Sequence, residues 1–242
     1  MIDNRQSVFT GDKVAFAQKW CDRRFGIGSD GVIFLEHSEG VDFLMDFYNP
    51  DGSQSFCGNG SRCAVAFAKS LGIIDGEASF FAIDGGHEAI VENGLVHIHI
   101  GNVEGVERIN KDYFIHTGSP HYISYCGTED NRNIVEYGRE IRYSEKYKEE
   151  GTNVNLIRVL GDNHIAVRTY ERGVEDETLA CGTGVTAAAL SFGIQSNIAS
   201  GTVDVDVKGG KLQVKFLRSN DRFSEIWLIG PAEYVFKGKI DA

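Results

Sequence analysis

Two short motifs, Cys57-Gly-Asn-Gly and Cys181-Gly-Thr-Gly, stand at matching places in two stretches of the chain. A glycine pair follows each at one distance: Gly85-Gly86 lies 28 and 29 residues after Cys57, and Gly209-Gly210 lies 28 and 29 residues after Cys181. An extended pattern with an aromatic near its end precedes each motif, DFYNPDG in the first case and RTYERG in the second. Chance can match one spacing, but motif, following helix, glycine pair and preceding strand agree together. A duplicated unit of strand, loop, Cys-Gly-x-Gly, helix and hairpin explains this, and such an internal period constrains the fold more than any single segment does.

Short-range patterning fills in the unit. Residues 12–26 (DKVAFAQKWCDRRFG) predict a helix: Asp12 suits the N-cap, Val14, Phe16, Ala17, Trp20 and Cys21 recur at helical spacing, and Gly26 offers a stop. VIFLEH and FLMDFY predict strands, and AVAFAKSLG predicts a helix closing on Gly72. ASFFAIDGGHEAIVENGLVHIHI predicts a hairpin turning at Gly85-Gly86, with a further strand after Asn93-Gly94. In the second half IAVRTYERG predicts a strand, CGTGVTAAALSFG a loop entering an Ala-rich helix, and GTVDVDVKGGKLQVKFL a hairpin. Abundant glycine, 29 residues against 3 prolines, fits many strands joined by tight turns.

A thiol at the start of a helix faces the positive end of the helix dipole and a turn of backbone N–H groups. That setting favours thiolate, and the same N–H groups can cradle a carboxylate. Each motif therefore offers a base beside an anion site, with glycines that let a ligand approach the backbone. For one motif alone, a buried structural cysteine in a glycine turn is an equally good reading. Two motifs related by duplication favour chemistry, because inverting a stereocentre needs one group to remove a proton from one face and another to supply one to the opposite face. A hydrolase needs a single nucleophile, which leaves the second thiol unexplained.

The remaining signals mostly exclude. A formal net charge of −11 with no basic stripe argues against nucleic acid and anionic membranes as partners. No apolar run approaches the roughly 18 residues of a membrane span. MIDNRQSVF lacks the pattern of a signal peptide, so a cytoplasmic protein with reduced thiols is expected. Five cysteines without CxxC spacing predict no metal site. Cys63, six residues beyond Cys57, points elsewhere on its helix; Cys21 is expected to pack beside Trp20, and Cys126 lies in no motif. Gly26-Ile-Gly28-Ser-Asp-Gly31 matches GxGxxG literally, but with helix before and strand after, the reverse of a dinucleotide site. Asn59-Gly-Ser matches a glycosylation sequon with no secretion signal to support it. His121 and Glu171 are the best polar partners for a thiol. Arg172 suits either an ordinary ion pair with Glu171 or the planar recognition of a carboxylate.

CDRRFGIGSDG, YNPDGSQSFCGNGSRC, TGSPHY, GTNVN, TYERGVEDETLACGTG and the closing GPAEYVFKG together resemble the diaminopimelate epimerase family, in that family's order and over nearly the whole chain. The resemblance implies an α/β (α+β type) fold of two pseudo-symmetric domains, each a barrel-like, mostly antiparallel sheet around a central helix, with the active site in the interdomain cleft. It places residues 1–116, with a C-terminal strand at about 234–242, in the first half, and 117–233 in the second. It implies interconversion of LL- and meso-2,6-diaminopimelate for lysine and peptidoglycan synthesis, without cofactor or metal, by a cytoplasmic homodimer. Carried over by position, Cys57 and Cys181 are the acid/base pair, and His121 and Glu171 tune the thiols. Gly58, Asn59, Gly182 and Thr183 supply N–H groups to the carboxylate. Asn49, Asn153, Glu171 and Arg172 bind substrate, mostly its distal end.

Three departures from the family pattern stand out. The strand and G-N-D-F turn that open family members are absent before Met1-Ile2-Asp3-Asn4, so a bare sheet edge, an incomplete pocket and weak activity are expected of the chain as written. Ser119 stands where many members have Asn, and the loop from Asn49 to Cys57 is about one residue short. Two other functions compete with the epimerase. One is a proline-type racemase with the same two-thiol logic, disfavoured by polar residues suited to a second amino-acid end. The other is a binding or redox protein whose thiols form a regulatory disulfide.

Overall fold

The computed structural model describes residues 1–127 and 129–240. They divide into two compact units: Met1–Ile98 with the segment from Pro231 onward, and His99–Gly230. The class is mixed α/β, rich in sheet and with few helices.

The first unit contains β1 (Ile2–Asp3), α1 (Lys13–Trp20), β2 (Val32–Glu36), β3 (Phe43–Tyr48), α2 (Gly58–Ser70), β4 (Glu77–Ala82), β5 (Gly85–Glu92) and the start of β6 (Leu95–Ile100). Its sheet runs in that strand order. β1–β2 is parallel, β2–β3 antiparallel, β3–β4 parallel, and β4–β5 and β5–β6 antiparallel. α2 buries one face, through Ser61, Arg62, Ala64, Val65 and Ala68, against β2, β3 and β5.

The second unit contains β7 (Glu107–Ile109), β8 (Asp112–His116), β9 (Pro120–Tyr125), α3 (Ile134–Arg142), β10 (Asn153–Gly161), β11 (His164–Glu171), β12 (Asp176–Glu177), α4 (Gly182–Gln195), β13 (Ser200–Val207), β14 (Gly210–Ser219) and β15 (Arg222–Gly230). β9–β10 is parallel, β10–β11 antiparallel, β11–β13 parallel and β13–β14 antiparallel. This is the order of polarities found from β1 to β5, so the repeat read from the cysteines is present as topology. The glycine pairs have a shared reason. Ala82 pairs with Gly85 and Val207 with Gly210 across equivalent tight turns. Gly85 and Gly210 there adopt φ of 129° and 143°, backbone that residues with a Cβ avoid.

α4 is buried at every position except Thr183 and Gln195, and β8–β11 and β13–β15 pack around it. Its sequence, GTGVTAAALSFGIQ, has no polar face to present to water, which is the composition of a helix enclosed on all sides.

Several expectations need correction. α1 ends at Trp20, not Gly26, because Asp22 Oδ1 accepts from the backbone N–H groups of Arg24 and Phe25 and turns the chain. The division between units falls at 98/99 instead of 116/117. β7, β8 and β9 are successive antiparallel partners, and the parallel β9–β10 pair carries them into the second unit's sheet. The C-terminal strand expected at 234–242 is not formed over residues 234–240, where Tyr234, Val235 and Phe236 are exposed and make no ladder; 241–242 lie outside the described residues.

Candidate active site

Each cysteine of the repeat is the N-cap of a helix. Cys57 caps α2 with φ −128° and ψ 102°, and Cys181 caps α4 with φ −116° and ψ 112°. The extended backbone at the cap and the helical turn after it put Gly58 and Asn59, and likewise Gly182 and Thr183, in the first turns of their helices. Main-chain N–H groups there point out of the helix end.

The two surroundings differ. Cys57 is half-buried, and its Sγ accepts from the Gly60 N–H at 3.3 Å. Arg62, one turn on, is buried and donates to Asn59 Oδ1 at 2.9 Å, which ties the motif's Asn to its own helix. The guanidinium also acts electrostatically on Cys57 and Cys63, and burial pushes its own pKa down. Asn49 lies on the loop before the motif, where its amide donates to Ser53 and Ser55.

Cys181 is buried, with Sγ 3.5 Å from Thr183 Oγ1. Behind Thr183 lies His121, fully buried on β9, with Nε2 2.9 Å from both Thr183 Oγ1 and Ser119 Oγ. Burial, aided by the nearby positive potential of His116 and Arg172, pushes the His121 pKa down to about 3, so its ring is neutral at pH 7. Ser119 Oγ also accepts from Asn153 Nδ2 at 3.2 Å, and Asn153 Oδ1 accepts from the Arg172 N–H at 2.9 Å. Hydrogen bonds therefore run without a break from Cys181 through Thr183, Ser119 and Asn153 to the backbone of Arg172. The Arg172 side chain is exposed and donates to the Glu150 carbonyl at 2.6 Å, not to Glu171. Glu171 is half-buried, and burial raises its carboxyl pKa, opposed in part by the nearby Thr178 side chain.

In the second unit the structure thus gathers Cys181, Thr183, His121, Asn153 and Arg172, five residues read as functional from the sequence. Two members of this network escaped that reading, Asn155 behind His121 and Thr169 behind Asn155, while Ser119, noted there only as a departure from the family pattern, is the hub. The parallel register Asn153↔His121 brings the first of them together, and no local spacing encodes it. The other cysteines lie elsewhere. Cys21 packs with Phe16, Val32 and Phe34, and Cys126 lies against the Tyr122–Ile134–Leu156 cluster. Burial raises the pKa of Cys63, which disfavours its thiolate. Among the described residues no cluster of His, Cys, Asp and Glu is arranged to hold a metal ion, and no helix is long and apolar enough to cross a membrane.

A repeated sheet-and-helix unit, its helix begun by a cysteine in a Cys-Gly-x-Gly turn, defines a structural class. The fold is shared with a PhzF-family phenazine biosynthesis protein from Bacillus anthracis, at a TM-score of 0.70 over 97% of this chain and 90% of that one, with 13% identity. Sequence narrows the class further. The family model described as Diaminopimelate epimerase matches residues 1–106 and 113–235. A diaminopimelate epimerase from Flavobacterium psychrophilum is 46% identical, over 99% of this chain and 94% of that protein. One from Chlorobaculum tepidum is 40% identical, over 99% of this chain and 96% of that protein. The chain belongs to the diaminopimelate epimerase family.

Proposed function

We propose that this protein interconverts LL- and meso-2,6-diaminopimelate, with Cys57 and Cys181 as the two acid/base groups, in lysine and peptidoglycan precursor synthesis. The observation that carries the reading is that both thiols cap helices at equivalent points of a repeated unit. In one direction one sulfur begins as thiolate and takes the α-proton while the other, as thiol, returns a proton to the opposite face; the roles exchange in reverse. Negative charge accumulates on the α-carbon and its carboxylate as the proton leaves. The first-turn N–H groups of α2 and α4, at Gly58, Asn59, Gly182 and Thr183, suit that charge because they are fixed before the reaction begins. Asn49, Asn153, Glu171 and Arg172 serve the distal amino-acid end, and the polar character of this set favours diaminopimelate over proline. His121 and Glu171 set the protonation of the thiols. The reaction as proposed needs no pyridoxal phosphate and no metal. Cytoplasmic location and a homodimeric state belong to the same proposal.

The test is turnover of LL-diaminopimelate in D₂O, followed by deuterium at Cα and by the isomer formed, with wild type, Cys57→Ala and Cys181→Ala. Wild type should form the meso isomer carrying solvent deuterium. Each variant should lose epimerisation by at least ~100-fold, the usual scale of a positioned acid or base. Full epimerisation by either variant, or faster turnover of proline than of diaminopimelate by wild type, would overturn the proposal.

A further inference from the structure

His121 is neutral and buried, and its hydrogen bonds specify which nitrogen carries the proton. Asn155, fully buried on β10, donates from Nδ2 to the Tyr122 carbonyl at 3.2 Å and accepts at Oδ1 from Thr169 Oγ1 at 2.9 Å. A carbonyl takes only a donor, so the amide has one orientation. The same Nδ2 lies 3.1 Å from His121 Nδ1, which must therefore accept. A neutral imidazole has a single N–H, and here it is on Nε2. Nε2 then donates toward Thr183 Oγ1 and Ser119 Oγ, both at 2.9 Å. Ser119 Oγ, already accepting from Asn153, is 3.1 Å from Thr183 Oγ1 and can donate to it. With both acceptor positions of Thr183 Oγ1 occupied, its own proton is left for Cys181 Sγ, 3.5 Å away.

We propose that Asn155 and Thr183 are positioning residues for Cys181: Asn155 locks His121 as the Nε2–H tautomer, and that tautomer commits the Thr183 hydroxyl to donate to Sγ. The inference deepens the proposed two-thiol chemistry and rests on it for its catalytic meaning. A hydroxyl donor stabilises thiolate without supplying a charge. The titratable or charged groups acting on His121 are His116, at the end of β8, and Arg172, beyond β11; both oppose protonation of the ring. Cys181 therefore exchanges its proton beside a partner that stays uncharged. The last glycine of the motif serves this arrangement. A Cβ on Gly184 would lie 2.5 Å from Asn155 Oδ1 and 3.2 Å from His121 Cε1.

Two measurements on the full chain test this. In wild type labelled with ¹⁵N-histidine, His121 at pH 7 should show a pyrrole-like Nε2 and a pyridine-like Nδ1. A protonated Nδ1, alone or in an imidazolium, overturns the inference with no variant needed. Second, the pH profile of Cys181 alkylation, read at the peptide level by mass spectrometry, should move up by about one unit in Thr183→Val, or roughly tenfold slower modification on the acid side, and return in Thr183→Ser. An unchanged Thr183→Val profile overturns it. Neither readout uses diaminopimelate. Failure to epimerise with both results as expected would sink the function and leave this inference standing, and active enzyme with the wrong tautomer would do the reverse.

Discussion

At the scale of single residues, the two motifs look alike in the sequence but differ in what surrounds their last glycine. A methyl at Gly60 would meet Met45 Cε, Cys57 Sγ and Ile33 Cδ1 at 3.2–3.3 Å, the ends of side chains that can shift slightly. A methyl at Gly184 would meet Asn155 Oδ1 at 2.5 Å, and that atom is held by Thr169. Gly184→Ala should therefore cost about 1–3 kcal/mol of stability, as overpacked sites do, and at least ~10-fold in epimerisation. Gly60→Ala should cost clearly less on both counts. Urea unfolding and turnover of diaminopimelate read the two effects, and equal losses from both variants would refute the distinction. The thiols and their glycines were legible because the motif occurs twice. Asn155 was not, and Ser119 was noted without its role, because their partners come from the parallel β9–β10 register and the first turn of α4, separated by 34 to 64 residues along the chain.

At the scale of elements, α2 depends for its cap on Cys57, the residue proposed as an acid/base group. Asp12 caps α1 with two backbone N–H bonds, whereas Cys57 accepts one, from Gly60, through a weaker sulfur acceptor. Serine ranks among the best N-caps. Cys57→Ser should keep the melting temperature or raise it, by up to ~1 kcal/mol of stability, while epimerisation is lost. Asp12→Ala should lose about 1 kcal/mol. A Cys57→Ser protein that melts well below wild type would show that the thiol holds α2 by more than its cap. The two glycine-turned hairpins were readable in advance from their alternation, and α4 from its Ala-rich apolar run after Cys-Gly-x-Gly. α3, absent from the sequence reading, carries local signals as well: Asn133 caps it, Ile134, Tyr137 and Ile141 recur at helical spacing, and Glu136 and Arg142 suit its two ends. Its one interruption is Gly138, a poor helix former, against which the buried Tyr170 ring packs directly.

At the scale of the whole molecule, the duplication was visible as spacing and reappears as an order of strand polarities, while the unit boundary followed long-range pairing and was not visible. Stability against pH is also a property of the whole chain, and His121 dominates it near neutrality. Its pKa falls from 6.5 to about 3 on folding, chiefly through burial. Between those values the unfolded chain binds a proton that the folded chain refuses. Stability is therefore fully present above about pH 6.5 and is lost as pH falls toward 3, by on the order of a few kcal/mol. Glu171 works in the opposite sense: its raised pKa means the folded chain holds the proton longer, so its contribution improves as pH falls. The lowered carboxyl pKa values of Asp3, Asp130, Glu175 and Glu177 add to the loss only at more acid pH, near and below 4. From pH 6.5 to 5 the large shift at a fully buried imidazole outweighs the half-buried carboxyl, and stability should decline. Chemical denaturation at half-unit steps across that range, with wild type and His121→Gln, separates the contributions. The variant removes the titrating ring but keeps a side chain able to donate to Thr183, so its profile should be flatter, or rise through Glu171. An equally steep decline in His121→Gln would place the acid sensitivity in another group.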